Sequence, residues 1–211
     1  MKDKNNNPIS EPSLRRLPHY HQVLKRLKNN GEKYISCTQI ANELNLIPIQ
    51  VRKDLNITGI KGSPKKGYIL TKLMTAIEKF LGWNFVNEAF IVGAGHLGQA
   101  LMGYEGFSNI GFNIVAAFDS SKKKIGLSIN NIKVLDIINF YSLTKRMKIE
   151  IGIITTPWET AQDTADLMVK SGIKAIWNFA PIKIIVPENI IVQEENLAAS
   201  LAVLTKKLEL M

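Results

Sequence analysis

The stretch IVGAGHLGQAL, residues 91–101, constrains this chain more than any other. An apolar run from Ala89 to Gly93 predicts a strand, Gly93-x-Gly95-x-x-Gly98 breaks it, and Leu97, Ala100 and Leu101 begin a helix. A lone Gly-x-Gly-x-x-Gly is weak evidence, and its setting decides what it is worth. Here a second strand, GFNIVAAFD, follows and ends at Asp119, 21 residues after Gly98. That is where an acid binds the adenosine ribose hydroxyls in a dinucleotide fold. Gly93 permits the tight turn, Gly95 lets backbone approach a pyrophosphate, and Gly98 brings helix against strand. The loop residues Ala94, His96 and Leu97 lie with them at the positive end of the helix, and His96 is expected to face phosphate. Asp119 repels a 2′-phosphate, which favours NAD(H) over NADP(H), although the lysines at 122–124 could compensate.

Downstream, EIGIITTP and KAIWNFAPIKIIVP read as strands separated by an amphipathic helix, WETAQDTADLMVKSG, in which Ala161, Ala165, Leu167, Met168 and Val169 pack and Gly172 closes. Alternating strand and helix indicate a doubly wound, Rossmann-like parallel sheet with right-handed crossovers. Ligands bind outside the C-terminal ends of such strands. Thr155, Thr156 and Pro157 end one strand, and Asn178, Phe179, Ala180 and Pro181 end another, so both groups are expected on the nicotinamide side of the cleft. No His, Lys or Tyr stands with an acid partner to move a proton alongside a hydride. A cofactor site is legible and a catalytic site is not.

The net charge of +9 is informative once divided. Residues 1–86 hold 15 Lys and Arg against 6 Asp and Glu, whereas residues 87–211 hold 12 against 12. The whole excess precedes the glycine fingerprint, as expected of a polyanion binder. In SLRRLPHYHQVLKRLKNNG, apolar residues recur at Leu14, Leu17, Tyr20, Val23, Leu24 and Leu27, spacings of an amphipathic helix. Pro18 sits awkwardly inside it and is expected to mark its start. Ser36-x-x-Gln39 has the capping-box form and opens a short helix with Ile40, Leu44 and Leu46 inward. Pro48 then suits the first position of a second helix, IQVRKDLNI, with Val51 and Leu55 on its apolar stripe.

Two short helices joined by a tight turn make a helix-turn-helix, whose second helix enters the major groove. It carries Gln50, Arg52, Lys53 and Asn56 outward; Gln50, Arg52 and Asn56 are candidates for base edges. TGIKGSPKKGYIL follows as a glycine-punctuated basic wing ending in a short strand, with Lys61, Lys65 and Lys66 for phosphate. A small helical dimerisation module with a solvated basic face is the alternative for these residues. His19 and His21, two apart on a helix, point to different faces, so no metal site is expected.

The longest apolar runs, such as 149–154 and 182–187, fall well short of the roughly 20 residues of a membrane span. MKDKNNNPIS lacks the apolar core of a secretory signal, so the expected location is the cytoplasm. The single cysteine, Cys37, excludes an intrachain disulfide and is expected as a small buried residue of a helix. The last stretch, ENLAASLAVLTKKLELM, places Leu197, Leu201, Leu204 and Leu208 on one stripe, for its own domain or for a second subunit.

A basic winged helix feeding directly into a dinucleotide fold resembles the Rex family of redox-sensing transcriptional repressors. RRLPHY, QVRKDL, VGAGHLGQAL, GF…IVAAFD, TTP and GIKAIWNFAP stand in the family's order and spacing over nearly the whole chain. The resemblance implies a winged-helix DNA-binding domain over 1–86, a Rossmann NAD(H)-binding domain over 87–194, and a dimerisation helix over 195–211 that swaps into the partner of a homodimer. It further implies that the protein holds double-stranded operator DNA when free or with NAD+, and that NADH closes the dimer and releases it.

Some positions depart from the family's pattern. After Lys53-Asp54-Leu55 the family continues Ser-Tyr-Phe-Gly and a wing containing Arg; this chain has Asn56, Ile57, Thr58, Gly59 and then SPKK. In part of the family an Arg of the first helix, an Asp before the partner's terminal helix and a Tyr near the cofactor form a redox-dependent contact. The matching positions are Gln22, Asn196 and Tyr104, so two neutral amides replace the charged pair and the switch is expected to be weakened or rewired. The competing functions are a small NAD-dependent dehydrogenase with an N-terminal extension, and a nucleotide- or coenzyme A-binding relative with altered or lost operator binding.

Overall fold

The computed structural model describes residues 9–64 and 66–210, which divide into two compact units between Phe85 and Val86. The first unit opens with α1 (Glu11–Asn29), capped by Ser10, whose hydroxyl accepts the Ser13 N–H. Pro18 lies inside α1 and does not start it. A mid-helix proline forfeits one backbone bond and costs about 3 kcal/mol. Leu17, Tyr20, Val23 and Leu24, all buried around it, offset that loss.

After β1 (Tyr34–Ile35) comes α2 (Cys37–Leu44), which starts at the full capping box: Gln39 N–H to the Ser36 hydroxyl and Ser36 N–H to the Gln39 side chain. Asn45, in left-handed backbone, turns the chain into α3 (Pro48–Asn56), with Pro48 in the first turn. The wing returns as β2 (Tyr68–Ile69), antiparallel to β1, and α4 (Leu70–Leu81) closes the unit. Ile40, Val51, Leu55, Leu70, Leu73 and Ile77 complete a core with Leu17, Tyr20 and Leu24 of α1. Cys37 is a free, buried member of that core.

The second unit is a seven-stranded sheet made of β3 (Asn87–Val92), β4 (Phe112–Asp119), β5 (Ser128–Ile129), β6 (Ile132–Asp136), β7 (Ile151–Ile154), β8 (Ala175–Asn178) and β9 (Ile191–Glu194). The strand order is β5-β6-β4-β3-β7-β8-β9, and every pair is parallel except the edge pair β5–β6. The six parallel strands have the doubly wound order, with the direction of winding reversing between β3 and β7. α5 (His96–Met102), α6 (Phe140–Met147) and α7 (Trp158–Ser171) connect them. Along β3, Phe90 and Val92 enter one core with Phe118, Phe140 and Met168, while Ala89 and Ile91 enter another with Met102 and Val134. Such two-sided burial gives parallel strands their unbroken apolar character.

The long apolar segment after Lys174 is only partly a strand. β8 stops at Asn178, and 179–187 run as a loop. Asn178, fully buried, turns the chain there: its Oδ1 accepts the Ala180 N–H and its Nδ2 donates to the Ile182 carbonyl. Pro181 and Pro187 then deny the ladder two donors. The last element, α8 (Leu197–Glu209), buries none of its residues, so the stripe Leu197, Leu201, Leu204 and Leu208 does not fold back on its own unit.

Candidate functional site

The cleft of the second unit forms where β3, β4, β7 and β8 end. Gly93 has φ +104°, and a Cβ there would meet the Thr155 backbone at 2.8 Å. A Cβ on Gly98 would stand 2.0 Å from the Gly93 carbonyl oxygen, so α5 can approach β3 only without a side chain at 98. At Gly95 a Cβ would meet nothing within 4 Å, leaving open space over the turn. Thr155 fixes this turn from β7, its hydroxyl donating to the carbonyls of Gly93 at 2.7 Å and Val92 at 3.1 Å.

Asp119, at the tip of β4, is nearly buried and holds the turn from the other side. Its Oδ2 accepts the Ala94 N–H at 2.9 Å and the Lys124 ammonium at 3.0 Å; its Oδ1 accepts the Ser121 N–H at 2.8 Å. Burial pushes this carboxyl up, but the Ser121 N–H, Lys124 and the Ala94 N–H outweigh it and hold the group below its ordinary range. Asp119 is therefore an anion at neutral pH, with Lys124 beside it at the cleft wall.

The cavity between these elements is about 780 Å³, the size of a small-molecule site. Gly93, Gly95, Leu97 and Asp119 line one part, and Thr155, Thr156, Pro157 and Phe179 the other. The Thr156 hydroxyl is buried without a hydrogen-bond partner among the described residues. A glycine turn with space above it, a fixed carboxylate, and an orphaned hydroxyl across the cleft fit a dinucleotide lying from Asp119 to Phe179.

Five expected cofactor residues do not line the cleft: Ala94 and Gly98, both buried beneath the turn, and Asn178, Tyr104 and His96. Asn178 does not line the cleft, because its amide is spent on the turn beneath Phe179. Tyr104 is 60% exposed in the loop after α5, edge-on to Phe107 at 4.9 Å, and is not among the cleft residues. His96 is the first residue of α5 and exposed, and the cleft wall is made by its neighbours Gly95 and Leu97. Sequence reasoning missed Thr160, Asp163, Thr164 and Leu167, one face of α7 that helical spacing brings to the cleft, and Ile137 from the turn after β6.

In the first unit, α3 and the wing frame a second concavity of about 560 Å³, bounded by Ser36, Thr38, Arg52, Asn56, Lys61 and Tyr68. Lys53 and Lys66 are exposed, Gln50 is half-buried, and Lys65 lies outside the described residues. The wing hairpin is closed by two backbone bonds between Ser63 and Gly67. Beneath α3, Asp54 is 3% exposed and receives the Arg16 guanidinium through two bonds of 2.7 and 2.9 Å, plus the Tyr20 hydroxyl at 2.6 Å. Burial works to raise the Asp54 carboxyl, but Arg16, Tyr20 and Ser13 outweigh it and keep it below the ordinary range. Burial, and then Asp54, push the Tyr20 phenol up. This triad locks the α3 helix onto α1, and the sequence carried its sign: Asp54 sits on the inward stripe between Val51 and Leu55.

Of the expected switch residues, Gln22 is exposed on α1. Asn196 is the cap of α8, its Oδ1 accepting the Ala199 N–H at 3.1 Å. Among the described residues no group of His, Cys, Asp and Glu could hold a metal ion, and His21 instead meets Glu78 at 2.7 Å. None of the described helices is long and apolar enough to cross a membrane.

Comparison with known proteins follows the same division. A family described as "CoA binding domain" matches residues 87–182, and one described as "Putative DNA-binding protein N-terminus" matches residues 8–56. The redox-sensing transcriptional repressor Rex of Treponema denticola is 54% identical over 193 residues, 92% of each chain. This chain belongs to the Rex family. The Rex repressor of Bacteroides fragilis is 41% identical, covering 99% of this chain and 94% of its own. The crystal structure of RSP with β-NAD+ and operator DNA matches with a TM-score of 0.90 at 38% identity, covering 96% of this chain and 93% of that one. RSP with β-NADH matches at 0.85, also at 38% identity, covering 95% and 94%.

Proposed function

We propose that this chain is a non-enzymatic repressor of the cytoplasm that binds operator DNA through its first unit and reads NADH against NAD+ in the cleft of its second. The observation that carries this is the cleft itself: a glycine turn locked by Thr155 and Asp119, with open space above Gly95, in a chain whose Rex relatives are named for redox sensing. In this assignment the N–H groups of residues 95–98 meet the pyrophosphate, Asp119 accepts the adenosine ribose hydroxyls, and Thr155, Thr156, Pro157 and Phe179 flank the nicotinamide.

NAD(H) supplies a signal rather than a reaction: the reduced ring is neutral and the oxidised ring is cationic. Phe179 and Pro157 offer an apolar surface that suits the neutral ring. The chain responds only if its two conformations differ in affinity for the two forms, since equal binding shifts nothing. On the DNA side, Arg52 and Asn56 are assigned to base edges, with Gln50 flanking them, and Lys53, Lys61 and Lys66 to phosphate. The exposed stripe of α8, centred on Leu201, is assigned to a second subunit, whose helix it exchanges.

Fluorescence anisotropy on the chain's own promoter and on a palindromic Rex-type operator tests this assignment, with no ligand, NAD+, NADH, and coenzyme A as a control. Tight binding that only NADH weakens supports it. Turnover of an alcohol or hydroxy acid with NAD(H), or release by coenzyme A, would overturn it.

A further inference from the structure

Side chains alternate along β8, so Trp177 points to the same face as Phe179, and the two rings pack with centroids 4.6 Å apart. Phe179 lines the dinucleotide cleft. Trp177 does not line it, but its indole N–H donates to Glu195 Oε1 at 3.2 Å. The Glu195 backbone N–H in turn donates to the Asn178 carbonyl at 2.8 Å. The next residue, Asn196, caps α8, which buries none of its residues. A wall of the cleft and the root of the exposed helix are therefore two side-chain contacts apart.

Trp177 is also held from the far side. Phe107 stacks edge-on to it at 5.8 Å, and Tyr104 on Phe107 at 4.9 Å. A half-buried indole has a single donor and one good acceptor here. When the Phe179 ring is displaced, the indole keeps that bond only if Glu195 moves with it. We propose that Trp177 and Glu195 form a positioning pair that couples occupancy of the cleft to the setting of α8. This rests on the cleft taking NAD(H). Neither residue lines the cleft, and Glu195 acts through the helix cap that follows it.

The test uses the full chain and three variants, Trp177→Phe, Glu195→Ala and Glu195→Gln. NADH affinity is measured by titration, operator affinity by anisotropy with and without NADH, and exchange of the Ala199 amide by hydrogen–deuterium exchange. Trp177→Phe and Glu195→Ala are expected to keep NADH affinity and ligand-free operator affinity within about threefold. Both should reduce the NADH-induced loss of operator affinity by about fivefold or more, the scale of ordinary allosteric coupling. They should also abolish the NADH-dependent change in Ala199 exchange. Glu195→Gln, which keeps an acceptor oxygen, should restore most of both responses. The double variant Trp177→Phe/Glu195→Ala should be no worse than either single one, because both remove one bond.

Variants that release DNA like the parent would overturn the proposal. So would a loss of NADH affinity beyond tenfold, which would make Trp177 part of the binding wall. A parent whose Ala199 exchange ignores NADH while its operator is released would also overturn it. A parent that fails to bind NADH at all refutes the assignment of the cleft, and that outcome is visible before any variant is made.

Discussion

Asp54 anchors the first unit at the residue scale. It is 3% exposed and satisfied by Arg16 and Tyr20, so removing it strands a guanidinium that is itself only 21% exposed. Breaking such a pair costs about 3–5 kcal/mol. Asp54→Ala is expected to lower the unfolding free energy of the first unit by about that amount, measured by urea denaturation, and to abolish operator binding by loosening α3. The pH dependence has a definite sign. The folded carboxyl titrates below its unfolded value of 3.8, so the stabilisation is complete above that value and is lost as pH falls from it through the folded pKa. The parent should lose stability in that acid window, and Asp54→Ala should lose less, by denaturant titration at each pH. The triad was legible in principle, since a carboxylate on the inward stripe of a short helix requires a partner. The identity of the partner was not, because Arg16 and Tyr20 lie 38 and 34 residues away and only the packing of α1 on α3 brings them there.

At the scale of the element, α8 and the wing carry the expectations. The stripe Leu197, Leu201, Leu204 and Leu208 is 59–70% exposed, which is costly in water and favours a partner. Leu201→Lys is expected to weaken self-association by about 10- to 100-fold, the equivalent of one fully buried leucine, by sedimentation velocity across a concentration series. In the wing, Lys61→Ala and Lys66→Ala should each weaken binding uniformly across sequences and reduce the slope of log affinity against log salt by about one. Elements with a strong period or a cap were readable: α2 from Ser36 and Gln39, β3 and β4 from the glycine fingerprint and the following acid. α4 went unread because Ile69 stands at the cap position, where its side chain can make no capping hydrogen bond. β5 and β6 are too short to show a period around the Asn130–Asn131 turn, and β9 is an exposed edge strand of four residues. The segment 179–187 misled because its isoleucines look like a strand, whereas Asn178 and two prolines make it a loop. Tyr104 was assigned through the family pattern alone, and no feature of its local sequence could report that it stacks on Phe107 outside the cleft.

At the scale of the whole molecule, all of the +9 charge belongs to the segment before residue 87, while the dinucleotide unit is balanced. Under the proposed function, DNA attraction and cofactor recognition are carried by separate units, and the signal must pass as a difference in affinity between conformations. The most direct measurement holds the total NAD(H) pool constant and varies the ratio of NADH to NAD+ over fluorescent operator DNA at physiological salt. The bound fraction should fall as the ratio rises and follow the ratio rather than the pool size. An operator-bound fraction indifferent to the ratio, with both nucleotides bound equally well, would contradict redox sensing by this chain.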